Sequence, residues 1–204
     1  MASLENNAQP FDCLIIHGCP DDYERALDPE RRTYDKHWLP WLKRELLGRG
    51  LRAETPLLPE PWAPRYEAFK AEFEKYPISE NTILVGHSCG GSFLARYLGE
   101  TKRRAKALVI VAPWKQTKYP DDQIRNTFYG YEVDAGIKER VKDIIMFTAD
   151  NEDPIGKISL DVFHQALGGE VIELPGRGHY IYGDMGREEF PELLEKIIEI
   201  WKRN

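Results

Sequence analysis

Short, uninterrupted apolar runs alternate with amphipathic segments from one end of this chain to the other. FDCLIIHG (11–18), NTILVGH (81–87), AKALVIVAP (105–113) and VKDIIMFTAD (141–150) are apolar at successive positions rather than at every second one. A strand with one wet face alternates, whereas a strand apolar on both faces must be covered on both. LRAETPLLP (51–59) and GEVIELPG (169–176) read as weaker strands. Between the strands, HWLPWLKRELLGRG (37–50), RYEAFKAEFEKY (65–76), SFLARYLGE (92–100) and IGKISLDVFHQAL (155–167) read as helices. In EEFPELLEKIIEIWKRN (188–204), Leu194, Ile197, Ile198 and Trp201 form one helical stripe. This alternation predicts an α/β fold: a three-layer α/β/α sandwich around a mainly parallel sheet. With 204 residues and no repeat or low-complexity linker, the chain reads as a single domain, 1–204, with residues 1–10 as a flexible N-terminus.

Composition narrows the possible partners. A net charge of −6 leaves no basic excess to neutralise phosphates, which argues against nucleic acid and anionic membranes. The basic stretch TKRRAKA (101–107) reads as the solvated end of a helix. The longest strongly apolar run, ALVIVAPW (107–114), is too short to span a bilayer, and MASLENNAQPFD lacks the features of a secretory signal. Three cysteines, Cys13, Cys19 and Cys89, are odd in number and irregular in spacing, so they fit neither a disulfide framework nor a zinc site. The expectation is a soluble protein of a reducing cytoplasm, without metal or cofactor.

The chemistry concentrates around LVGHSCGGSF (84–93). Gly86-His87-Ser88-Cys89-Gly90 follows an apolar strand and precedes a helical pattern, the context of a nucleophile elbow. Glycines at 86 and 90 remove the Cβ atoms that would clash in such a turn, and the helix start offers unpaired N–H groups beside Ser88. The Cys89 N–H becomes one candidate oxyanion donor. IIHGCP (15–20) supplies the other: Gly18 lets the end of the first strand pass close to the serine, with His17 as part of the same motif. The Cys19 N–H then faces the oxyanion, because Pro20 has none to give.

A base and an acid follow in chain order. Of the five histidines, His37 and His164 sit in helical patterns, and His87 points away from the serine side chain. His179, in the glycine-rich LPGRGHYIYGD after a strand, is the candidate base. FTADNEDPIG offers Asp150, Glu152 and Asp153 between Ser88 and His179, the order Ser…acid…His of an α/β-hydrolase. Asp153-Pro154 also reads as a helix N-cap followed by proline, and the residues alone do not choose between Asp150 and Asp153. Two long connections, 19–35 and 114–136, follow strands and belong on the same side of the sheet as the site. Trp114 and Tyr180 are candidate substrate-pocket residues.

Taken together and in this order, His17-Gly18, HWLPWLKREL, LVGHSCGG, DNEDP and GRGHY resemble α/β-hydrolases. More narrowly, they resemble the small serine hydrolases related to retinoblastoma-binding protein 9. The resemblance implies a compact sheet with little or no cap domain and a Ser-Asp-His triad. Its D-x-x-D pattern puts the acid on Asp153, with Asp150 in support. The implied reaction is cofactor-free cleavage of a small ester, thioester or amide through an acyl-enzyme. The resemblance also admits an interaction scaffold whose partner is another protein. The connection 19–35 is longer than the family's short loop.

Overall fold

The structure, a computed structural model, describes residues 9–203; most of the N-terminal stretch 1–10 lies outside the described residues. Six parallel strands form one sheet: β1 (Cys13–Ile16), β2 (Ala53–Glu54), β3 (Ile83–His87), β4 (Ala105–Val111), β5 (Val141–Ala149) and β6 (Glu170–Leu174). Their spatial order is β2-β1-β3-β4-β5-β6, so the winding direction reverses between β1 and β3. In open parallel sheets, ligands bind at the carboxyl ends of the strands flanking such a reversal. β1 and β3 pair through Cys13–Ile83, Leu14–Leu84, Ile15–Val85 and Ile16–Gly86. That register brings the end of β1 level with the Gly86-His87-Ser88 turn.

Both faces of the central strands β1, β3 and β4 are dry, as their uninterrupted apolar runs require, whereas the edge strand β6 is largely exposed. Leu14, Ile16, Leu84, Leu108, Ile110 and Met146 face α2 (Tyr66–Phe73), α3 (Cys89–Thr101) and α5 (Pro154–Leu167). The alternate residues Ile15, Val85, Val109, Val111 and Phe147 face α1 (Leu39–Leu47) and α7 (Pro191–Lys202). The result is the expected α/β/α sandwich, with a sheet that is parallel throughout. Among the described residues, no helix is long and apolar enough to cross a membrane.

Local departures from the expected elements have physical causes. The strand expected over 51–59 shrinks to Ala53–Glu54, because Pro56 and Pro59 cannot donate to a ladder. The helix expected from residue 92 begins at Cys89, immediately after Ser88. The connection 114–136 contains α4 (Gln123–Tyr129), capped by Asp122, whose carboxylate accepts from the Arg125 N–H. The loop after β6 carries the single-turn α6 (Tyr182–Met185), and 19–35 folds into short 3-10 turns at Asp22–Ala26 and Pro29–Arg31.

Phe93 anchors the larger half of the core. It is fully buried, with the rings of Tyr66, Phe69, Phe73 and Tyr97 at 5.4–6.1 Å between centroids. Phe93→Ala is expected to lower unfolding stability by about 3–5 kcal/mol in urea titrations; a loss under about 1 kcal/mol would mean the cluster closes over the cavity.

Candidate active site

The serine turn is strained and heavily restrained. Ser88 has φ 52° and ψ −121°, a conformation few non-glycine residues adopt. Its N–H donates to the Val111 carbonyl at 2.8 Å, and its own carbonyl accepts from the Gly91 N–H at 3.1 Å. Gly90 is required by close approach: a Cβ there would lie 2.5 Å from the His17 carbonyl oxygen. Gly86 ends its pairing with β1 one residue before His87. These restraints raise the Ser88 hydroxyl at the carboxyl edge of β3, next to β1.

His179 meets it from the opposite side of the cleft. Its Nε2 lies 2.9 Å from Ser88 Oγ, and its Nδ1 lies 3.1 and 3.2 Å from the two Glu152 carboxylate oxygens. A carboxylate can only accept, so Nδ1 carries the proton and Nε2 accepts from the Ser88 hydroxyl. The Glu152 side chain is completely buried, whereas that of His179 is 25% exposed. Gly156 makes room for the carboxylate: a Cβ there would lie 2.8 Å from Glu152 Cδ.

The acid facing His179 is therefore Glu152, and the expectation for Asp153 needs correction. Asp153 caps α5, its Oδ1 accepting from the Ile155 N–H at 2.8 Å, and its Oδ2 pairs with Lys118 at 3.0 Å. Although burial acts the other way, the Ile155 N–H and the Lys118 ammonium hold this carboxyl below its ordinary range. Both Asp153 oxygens are thus engaged away from the imidazole, whereas both Glu152 oxygens face its Nδ1. Asp150 accepts from the Gly176 N–H at 2.7 Å, and the Asn151 side-chain oxygen accepts from the Gly178 N–H at 2.8 Å. Consecutive residues of one turn thus hold the histidine loop and face its ring. Glu152 was among the residues the sequence offered, but only the course of the chain into α5 separates it from its neighbours.

His87 also acts in the site, although its ring points away from the Ser88 side chain. Its Nε2–H donates to the His179 carbonyl at 2.8 Å, and its buried Nδ1 has no partner among the described residues. Asp184 accepts from the His179 N–H at 2.7 Å, so the histidine backbone is held at both ends. No pattern in the sequence marked either contact.

At the end of β1, His17 Nδ1–H donates to the Gly18 carbonyl at 2.8 Å, while His17 Nε2 accepts from the Leu58 N–H at 2.9 Å. In a trans peptide the C=O and the following N–H point oppositely, so the Cys19 N–H is turned away from the His17 ring. Gly18 abuts the serine; a Cβ on it would sit 3.4 Å from Ser88 Cβ. Among the described residues, neither the Cys19 nor the Cys89 N–H donates to another group.

Two further expectations change. Cys19 and Cys89 form a disulfide, with Cα atoms 5.7 Å apart, so only Cys13 is unpaired. Spacing could not reveal this pair, because the sheet, not the sequence, brings the two residues together. Tyr180 is fully buried, donates its hydroxyl to the Thr148 carbonyl and stacks on Phe190; it belongs to the core rather than the cleft. Trp114 does line the cleft, its ring 5.0 Å from that of His179. The cleft has a volume of about 570 Å³, and residues from both long connections, among them Tyr23, Tyr34, Lys118 and Tyr119, form its walls.

A parallel sheet covered on both faces, carrying a strained serine at the carboxyl edge beside its reversal point, defines an α/β-hydrolase. The chain belongs to the serine hydrolase family, whose sequence profile matches residues 31–198. It is 25% identical over 181 residues to YdeN of Bacillus subtilis (strain 168), which carries a hydrolase name; the match covers 85% of this chain and 93% of YdeN. The crystal structure of the B. subtilis ydeN product superposes with a TM-score of 0.78 at 23% identity, covering 94% of this chain and 98% of that one. A structure from work on LipS and LipT, two metagenome-derived lipolytic enzymes, shares the fold at a TM-score of 0.64 and 13% identity, covering 94% and 93%. Est1E from Butyrivibrio proteoclasticus does so at 0.57 and 13%, covering 96% and 88%.

Three imidazoles around the site are buried as neutral groups. Burial pushes His37 down to about 4, lowers His17, and, together with the nearby His179, lowers His87 well below the ordinary histidine value. The unfolded chain binds protons at these positions near pH 6.5, while the folded protein resists until the pH is much lower. Their contribution is therefore fully present above pH 6.5 and is lost as the pH falls toward 4, at up to about 1.4 kcal/mol per pH unit for each histidine. Urea midpoints are expected to fall between pH 7 and pH 5, above the range where carboxylates titrate. A flat profile across that window would show that these rings protonate freely in the folded state.

Proposed function

We propose that the protein hydrolyses small carboxylic esters, with thioesters and amides as chemically related substrates, through an acyl-enzyme on Ser88. The observation that carries this reading is the continuous chain Glu152–His179–Ser88, with each hydrogen bond near 3 Å. Ser88 Oγ attacks the carbonyl carbon as His179 Nε2 takes its proton. Glu152 keeps the proton on Nδ1 and stabilises the imidazolium, and its complete burial strengthens that attraction. The Cys19 and Cys89 amides receive the oxyanion; losing one such donor costs about 3 kcal/mol of transition-state stabilisation. His179 then protonates the departing alcohol, and water repeats the sequence on the acyl-enzyme. A cleft of about 570 Å³ suits a small-molecule substrate. The structural neighbour from the work on the lipolytic enzymes LipS and LipT supports this class.

Ser88→Ala is expected to abolish labelling by a fluorophosphonate probe and to lower p-nitrophenyl acetate turnover by about 10⁴-fold or more, with an unchanged circular dichroism spectrum. Undiminished labelling would remove Ser88 from the reaction.

The choice of acid is tested by a matched pair. Glu152→Gln is expected to lower kcat by about 10³–10⁴-fold. Asp153→Ala should cost about 1 kcal/mol of stability through its lost helix cap and leave kcat within several-fold. Gly156→Ala offers an independent check: it favours the helix by propensity yet should depress kcat by displacing the Glu152 carboxylate. Equal losses in Glu152→Gln and Asp153→Ala would overturn the assignment.

A further inference from the structure

The two amides proposed to receive the oxyanion belong to the two residues whose side chains are joined. Cys19 and Cys89 lie 70 positions apart in sequence, and their disulfide links the end of β1 to the first residue of α3. The two ends are not equally secured. Cys89 is fully buried within the strand-to-helix turn, whereas Cys19 is half-buried, lies beyond the last paired residue of β1 and opens the connection 19–35. Apart from the disulfide, Cys19 is steadied through its neighbours: the His17 ring on the Gly18 carbonyl, and Arg125 Nη2 on the Pro20 carbonyl at 3.1 Å. Both contacts fix carbonyls on either side of Cys19, and neither fixes its distance from Ser88.

We propose that the Cys19–Cys89 disulfide positions the oxyanion hole, so that turnover depends on the redox state of this pair. The proposal rests on the hydrolase reading above and adds a regulatory chemistry to the same site. A dithiol reductant supplies the electrons. One of its thiolates attacks Cys19 Sγ, the sulfur on the cleft-lining residue, forming a mixed disulfide and expelling Cys89 as a thiolate that takes up a proton. The second reductant thiol then closes on its partner sulfur and releases Cys19, which is protonated in turn. The dithiol becomes a cyclic disulfide, and two electrons and two protons pass to the protein. Cys13 does not compete, because it is buried in β1 and burial raises its thiol far above the usual range. Reduction leaves Cys89 in place on α3 and frees the Cys19 amide, while Arg125 still holds the Pro20 carbonyl and the cleft wall that follows it. The lost contact is one made to the transition state, so the effect falls on kcat rather than on KM.

The test compares oxidised and dithiothreitol-reduced protein, freed of reductant, on p-nitrophenyl acetate. Thiol titration in denaturant counts one cysteine in the first and three in the second. Reduction is expected to lower kcat by about tenfold or more, short of the 10²–10³-fold seen when an oxyanion donor is deleted outright. KM should stay within about twofold, and reoxidation with oxidised dithiothreitol should restore the rate. Cys19→Ser should work at the reduced level and ignore the reductant; if it fails to fold, the wild-type comparison still decides. Three thiols persisting after oxidation, or a fully reduced protein with kcat within about twofold of the oxidised form, would overturn the clamp alone. An oxidised protein inert toward both the ester and the fluorophosphonate probe would overturn the hydrolase reading, and the clamp with it.

Discussion

The backbone of Ser88 is the constraint around which the rest of the structure is arranged. A non-glycine residue at φ 52° and ψ −121° costs on the order of 1–3 kcal/mol, so its surroundings must over-determine it. They do so from three sides. β4 receives the Ser88 N–H, α3 starts without an intervening residue, and the end of β1 passes so close that Gly90 tolerates no side chain. The strain is thus held by the central strands of the sheet, the least deformable part of the fold. The same close approach carries Gly18 against Ser88 and delivers Cys19 to the edge of the site.

The other half of the site has no ladder to hold it, because it lies beyond the carboxyl ends of β5 and β6. Polar side chains replace the missing ladder. Asp150 and Asn151 hold the glycine amides before His179, Asp184 holds its own amide, and His87 holds its carbonyl. With the backbone fixed by four contacts, the ring has little choice but to lie between Glu152 and Ser88. Burial and the neighbouring His179 keep His87 neutral, and in that state its single ring proton sits on Nε2, where it donates to the carbonyl.

Those contacts explain why some of the design was legible in the sequence and some was not. Apolar runs without alternation, as in β4, state directly that both faces are covered, and that suffices for the sandwich. The G-x-S-x-G turn and the loop position of His179 are local signals, and local geometry carries them through. Asp153-Pro154 was legible as well, but as a helix cap, and the cap and the Lys118 pair engage both Asp153 oxygens away from the histidine. Tyr180 follows His179 directly, yet its backbone turns at φ 56° and sends the ring into the core on Phe190. Chemistry-bearing neighbours in a tight loop can face opposite layers, and composition does not report which. The Cys19–Cys89 pair is the extreme case, since its proximity exists only once β1 lies beside β3.

The disulfide is best understood as an answer to where an α/β site must be built. Catalytic groups gather at the carboxyl edge of the sheet, beyond the last interstrand hydrogen bonds, so each connection needs a tether of another kind. The histidine loop uses carboxylates and amides. The connection 19–35 uses the Arg125 guanidinium, which reaches the Pro20 and Trp62 carbonyls together, and a covalent bond. Closing a loop of 70 residues removes about 4 kcal/mol of freedom from the unfolded chain, a benefit that almost any pair of that separation would bring. Its placement between the two amides beside Ser88 is not explained by that general gain. A bond there restrains one distance that neither the His17 nor the Arg125 contact controls, and among the tethers of this site it is the one that a change of electrons can remove.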